Sequence, residues 1–367
     1  MPARGGRRGG RGTGAWSGAA ACRPPGFHRG GTPMAPTVKL VTPVDPRHAG
    51  GAVAEVYRQV KAELGVLGPA LTLYSPAPEL LAPVWSLLRE SLLVGGPEER
   101  KAKEVVATVI AVRNECRFCI DAHATMLHAV GEGALAEGLR AKQPPREWAA
   151  LADWALDPTA EGPFPAEAAP RFIGTALVFE LITRLVKVFA PNDSPNPVLT
   201  TKLGRSVGSR LVRELVAADL EPGATLPLLA DRPDWAKDLT VRVPGWAGDS
   251  PVGTAYGTLR AYASYGSMLL SAEAVEAVAR TVGVYGTEVG DRAPDPAGVE
   301  LLPGEARLGA RLAVAAALAP GSVSSSDVDR WRGEVFTDHC LVHLMTFGAM
   351  NAVDAVQDEI ETRNVDA

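Results

Sequence analysis

Apolar residues recur along this chain at the spacing of helices, and the alternation expected of strands is nearly absent, which confines it to an all-α fold. Val53, Val56, Tyr57, Val60 and Leu64 fall at i, i+3, i+4, i+7 and i+11, and Gly65 follows where a helix stops. "PAPELLAPVWSLLRESLLVGG" predicts a second helix that Pro83 either kinks or divides. A third starts at "GGPEERKAKEVVATVIAVRN", with Pro97 at a favoured first position and Glu98 and Glu99 complementing the helix dipole. Further helices are predicted over 133–141, 146–155 and 170–190. Five more follow in "TKLGRSVGSRLVRELVAADL", "GTLRAYASYGSMLL", "SAEAVEAVARTVGVYG", "EARLGARLAVAAALAP" and "FTDHCLVHLMTFGAMNAVDAVQ", several opening on Ser, Thr or Asp and closing on Gly or Pro.

At 367 residues the chain is long enough for two packed units or one large one. Residues 1–40 form a Gly/Arg-rich tail whose composition does not repay its ordering entropy, so disorder is expected. Its Arg7-Arg8 pair resembles the start of an export signal, but "GTGAWSGAAAC" is too short and too weakly apolar to complete one. Met34 is an alternative start. The prolines and Asn/Asp residues of "APNDSPNP" break the helical pattern, placing a helical domain over 41–190, a linker over 191–199 and a second helical half over 200–362.

The formal net charge is −5, and residues 1–31 hold six arginines without an acid, so the remaining residues carry −11. Such an acidic body repels nucleic acid and anionic lipid, and no apolar run reaches the roughly 18 residues of a membrane span. Four cysteines, at 22, 116, 119 and 340, are too few and too scattered for a disulfide framework, so a reducing cytoplasm is the expected compartment.

Chemistry concentrates in "NECRFCIDAH", residues 114–123. With Asn114 read as a helix N-cap, Cys116 enters the first turn of a new helix; Cys119 lies about 60° and His123 about 20° from it around the axis. All three project from one face. A thiol at a helix N-terminus is biased toward thiolate, an imidazole nearby can carry its proton, and the spacing allows cycling between dithiol and disulfide. On the preceding helix Lys101, Glu104, Thr108 and Glu115 form a narrow polar stripe among valines; facing the cysteines, Glu104 becomes a partly buried carboxylate with a raised pKa. The same spacing also suits three ligands of a zinc site, although a fourth ligand and a second CxxC are missing and His128 lies on another face. A lone Glu104 is alternatively an ordinary solvated residue.

"EVVATVIAVRNECRFCIDAH" resembles the E-x11-C-x2-C-x3-H signature of the alkylhydroperoxidase D and carboxymuconolactone decarboxylase-like superfamily, and the resemblance spans roughly residues 45–140. Helix "FIGTALVFELITRLVKVF" and "RLAVAAALAPGSVSSSDVDRWR" are similar to segments of longer, two-part members. The resemblance implies an all-helical bundle, possibly of two related halves, that assembles into homo-oligomers and works as a thiol-dependent peroxidase or disulfide reductase without a cofactor. It implies Cys119 as the thiolate attacking a hydroperoxide, Cys116 as the resolving thiol, His123 as proton relay and Glu104 as the distant base. A thiol or lipoyl-bearing protein is the implied reductant. One position departs: the best-known peroxidases carry a histidine just before the second cysteine, where this chain has Phe118. Members that decarboxylate a lactone do not need the dithiol, so a non-redox enzyme stays open as an alternative, as does a zinc-stabilised or purely helical interaction module.

His339, Cys340 and His343 in "DHCLVHLMTFGAM" put two histidines on one helical face, and the surrounding Leu341, Leu344, Met345 and Phe347 favour ordinary packing over a metal. The glycine clusters lack the lysine and the preceding strand of a phosphate-binding loop.

Overall fold

In the computed structural model, which describes residues 38–190, 213–215, 218–295, 298–299 and 302–366, every regular element among the described residues is helical. Helix α1, Gly51–Leu64, buries Val53, Val56, Tyr57 and Val60 as its periodicity demands and stops at Gly65, whose φ of 76° a side-chain-bearing residue adopts at a cost. A single turn, α2 (Pro69–Thr72), leads to α3, Pro78–Leu88. Pro83 sits inside α3 without ending it; the regular geometry instead loosens into a π-helical turn at Arg89–Leu93. Then come α4 (Pro97–Arg113), α5 (Arg117–Ala129), α6 (Gly133–Arg140), α7 (Ala149–Leu156) and α8 (Ala169–Phe189).

Beyond residue 212 the chain forms α9 (Pro251–Ala263), α10 (Ala272–Tyr285), α11 (Gly304–Leu318), α12 (Ser325–Arg332) and α13 (Asp338–Asp366). Ser271 and Ser324 cap α10 and α12, each hydroxyl accepting from the backbone N–H three residues on. The expected helix within 201–220 falls largely outside the described residues, as do the tail, Met34 and the 191–199 linker.

Helix α8 is apolar around nearly its whole circumference because neighbours cover it on several sides: α4, α3 and α13 all pack against it. Helices α3 and α9 pair, as do α11 and α13. At the last crossing Gly348 lets the backbones meet; a Cβ there would fall 2.2 Å from the Ala313 carbonyl oxygen. One apolar cluster therefore runs from Val56 of α1 through Phe179 of α8 to Val353 of α13, so residues on both sides of segment 191–199 share a core. No described helix is long and apolar enough to cross a membrane.

Buried polar groups tie these layers together. Glu180 of α8 is 1% exposed, and its carboxylate takes in Arg184 one turn on, Arg113 at the end of α4, and Asn114 at 3.2 Å. Arg184, fully buried, also donates to the Ala317 carbonyl of α11 at 2.8 Å and to the Thr287 carbonyl. A charge in the first half is thus satisfied by backbone of the second.

Candidate active site

Helix α4 ends at Arg113, and the turn that follows places the cysteines. Asn114 is not the N-cap of the next helix, as its residue type suggested; it closes α4, and its buried side-chain amide donates to Thr183 Oγ1 at 2.9 Å and to Glu180. The partners on α8 hold the side chain through its NH2 group, while Oδ1 accepts from Arg113 Nε at 3.4 Å instead of capping α5. Glu115 then takes a left-handed conformation, φ 52°, and leaves the stripe on which ideal helix geometry put it. This reversal lets the Cys116 N–H donate to the Ala111 carbonyl at 2.9 Å and makes Cys116 itself the N-cap of α5.

Cys119 follows in the first turn of α5, and the two sulfurs are bonded to one another with Cα atoms 5.3 Å apart, within the ordinary span of a disulfide. Both residues are almost covered, at 1% and 2% exposure. Phe118, between them, packs toward the start of α2, its ring 3.4 Å from where a Cβ of Gly68 would stand. That position supplies an apolar wall and no proton donor.

His123 lies one turn after Cys119 on the same face of α5. Its Nδ1 is 2.7 Å from Glu104 Oε2, and its ring meets Phe179 edge to face at 4.5 Å. Since a carboxylate only accepts, the contact is made by an Nδ1–H, which leaves Nε2 as the nitrogen free to exchange a proton. The other Glu104 oxygen accepts from Arg100 Nη2 at 2.7 Å and Nε at 2.8 Å. Arg100, Glu104 and His123 therefore form a chain of charge-assisted hydrogen bonds beside the disulfide.

Glu104 is fully buried, not partly, and its pKa moves opposite to the raised value expected from the sequence. Burial does push it up, but the Arg100 guanidinium and His123 together outweigh that and hold it below 4.5. It stays a carboxylate, so its part is to orient and charge-stabilise His123 rather than to store a proton. Glu99 is likewise held down, burial being overcome by Arg171 and Lys103. A carboxylate whose pKa is depressed by folding contributes stability above its unfolded value, here about 4.5, and loses it as pH falls through the folded value. The urea midpoint is accordingly expected to fall steeply from pH 5 to pH 3. In Glu104→Gln the protein starts less stable, and that acid slope becomes shallower; an unchanged slope would reject the assignment.

The structure thus assembles Cys116, Cys119, His123 and Glu104 in one place. Sequence reasoning missed Arg100, although its i,i+4 spacing to Glu104 was a readable signal, and Phe179, for which no local signal exists. His128 reaches Glu137 at 3.2 Å, away from this group. Among the described residues, the His, Cys, Asp and Glu side chains that converge as three possible metal ligands are Glu79, His339 and His343. Over 330 aligned residues the chain is 34% identical to the protein named alkyl hydroperoxide reductase Rv2159c of Mycobacterium tuberculosis, a similarity covering 86% of this chain and 92% of that one. No family model and no solved structure matches significantly.

Proposed function

The chain belongs to the family of the mycobacterial alkyl hydroperoxide reductase, and from this premise we propose that it is a thiol-dependent peroxidase acting through Cys116 and Cys119. The observation that carries the reading is the bonded cysteine pair at the head of α5, one turn from an imidazole that a buried carboxylate holds in a single tautomer. These residues match the signature that the resemblance to the alkylhydroperoxidase D-like superfamily implies, and Arg100 anchors Glu104 beside them.

In the reduced protein the Cys119 thiolate, favoured by the first-turn N–H groups of α5, attacks the terminal oxygen of a hydroperoxide. The O–O bond breaks, Cys119 becomes a sulfenic acid, and the leaving alkoxide takes a proton through His123 and departs as an alcohol. The Cys116 thiol then attacks the Cys119 sulfur and expels hydroxide, which leaves as water after taking the thiol proton. The product is the disulfide. An external dithiol, of thiol or lipoyl type, returns two electrons and two protons to close the cycle. Glu104 keeps the imidazole oriented and stabilises its charged form during each transfer. Phe118 adds no proton donor, so His123 carries the proton traffic alone. The reading includes a cytoplasmic location, a homo-oligomer, and a catalytic domain over 41–190 covered by a second helical half over 200–362.

Hydroperoxide consumption by the wild type with excess dithiol is the direct test. Turnover is expected with the reduced protein and should vanish after alkylation of the reduced thiols. Turnover that survives alkylation, or none in the unmodified protein, rejects the reading.

A further inference from the structure

A second polar cluster, unrelated to the dithiol, is buried where Glu79 of α3 meets α13. His339 and His343 occupy successive turns of α13, so both rings point the same way. From a helix 260 residues earlier in sequence, Glu79 in the first turn of α3 sets Oε1 2.5 Å from His339 Nε2 and 2.8 Å from His343 Nε2. The three ligand atoms lie within 4.8 Å of one another. His343 is fully buried, and the side chains of His339 and Glu79 are 15% and 12% exposed. The apolar packing expected of "DHCLVH" is present around the helix, but the carboxylate at its centre was not legible.

We propose that Glu79, His339 and His343 form a divalent-metal site, and that zinc is the cation its donors select. Two imidazoles, borderline nitrogen donors, joined by one hard carboxylate suit zinc, whereas magnesium and calcium take oxygen-only sets. The i,i+4 histidine pair holds its two nitrogens on a rigid element, while Glu79 has the torsional freedom to retreat. Zinc bonds of about 2.0–2.2 Å in a tetrahedron separate ligand atoms by about 3.3 Å, so the contacts to Glu79 need open by less than about 1 Å to admit the ion.

The surroundings provide an independent indication. Trp235 borders the site, its ring 6.1 Å from that of His343 and 5.5 Å from that of Tyr262. Tyr262 is 3% exposed, and its hydroxyl is buried without a hydrogen-bond partner. A polar atom left in that state costs about 1–3 kcal/mol and marks this neighbourhood as short of one polar partner. Because the ligands join α3 to α13, zinc here also clamps the first half of the chain to the second.

The test uses the full chain, stripped of metal and kept in its disulfide form so that Cys116 and Cys119 offer no thiolate. Calorimetric titration with zinc alone is expected to show one ion per chain at sub-micromolar affinity. Glu79→Gln and His339→Gln should each weaken it at least 100-fold while the far-ultraviolet dichroism stays helical. The Cys116→Ser/Cys119→Ser protein should still bind one ion, which separates this site from any zinc held by the dithiol. Zinc uptake below one ion per chain in the folded wild type, uptake indifferent to both triad variants, or uptake lost with the cysteines would each overturn the proposal.

Discussion

Cys119→Ser is expected to reduce hydroperoxide turnover to the uncatalysed background, because a serine hydroxyl at neutral pH does not ionise to a competent nucleophile and Cys116 stands at the N-cap rather than inside the first turn. Cys116→Ser should behave differently. With its resolving thiol gone, Cys119 consumes one equivalent of hydroperoxide per chain and stops as a sulfenic acid, which a sulfenate-selective reagent traps. The two variants therefore separate the roles that the bonded pair leaves symmetrical. If Cys116→Ser abolishes even the first equivalent and Cys119→Ser retains it, the order of attack is reversed; if both turn over like the wild type, the dithiol has no part in the reaction.

The near-complete burial of both sulfurs bears on what this assay can use. On the proposed reaction a small hydroperoxide has to reach a thiol by local opening of the α5 start, where few backbone hydrogen bonds must break. Selectivity is therefore expected to reside in the turn between α4 and α5, whose position α8 controls.

The all-α class and helix ends such as Gly65 and Ser271 were legible because they depend on local preferences: apolar spacing, serine caps and stop glycines act within a few residues. The shared face of Cys119 and His123 follows from helix geometry alone, whereas Cys116 stands at the N-cap rather than in the first turn where the spacing put it. What escaped was every property set by contacts distant in sequence. Asn114 suits a helix start by its chemistry, yet Glu180 and Thr183, 66 and 69 residues away, decide which hydrogen bonds it makes. Glu104 looked like a carboxylate raised by burial; Arg100 reverses the sign, and burial strengthens the pairing that reverses it. Glu79 and the two histidines of α13 cannot be brought together by any periodicity. Phe118 was visible as a departure from the family pattern, but its packing beside Gly68 depends on a contact 50 residues away in sequence.

Glu180 is the residue on which the largest stability effect is expected. Glu180→Leu removes the carboxylate that Arg184, Arg113 and Asn114 share, leaving the fully buried Arg184 guanidinium without a countercharge. Breaking one member of such a pair costs about 3–5 kcal/mol, a large part of the stability of an ordinary domain. The urea midpoint should fall accordingly. Replacing both partners, Glu180→Leu with Arg184→Leu, removes the stranded charge and should recover part of the loss. Recovery stays incomplete because the Ala317 and Thr287 carbonyls then lose their donor, Arg113 loses its carboxylate and Asn114 loses one of its two acceptors. Activity at a pH and temperature where both variants remain folded should still be reduced, since Asn114 then holds the turn that carries Cys116 through Thr183 alone. A double variant less stable than Glu180→Leu would show that the second-half carbonyls, rather than the Glu180 charge, are what Arg184 chiefly serves.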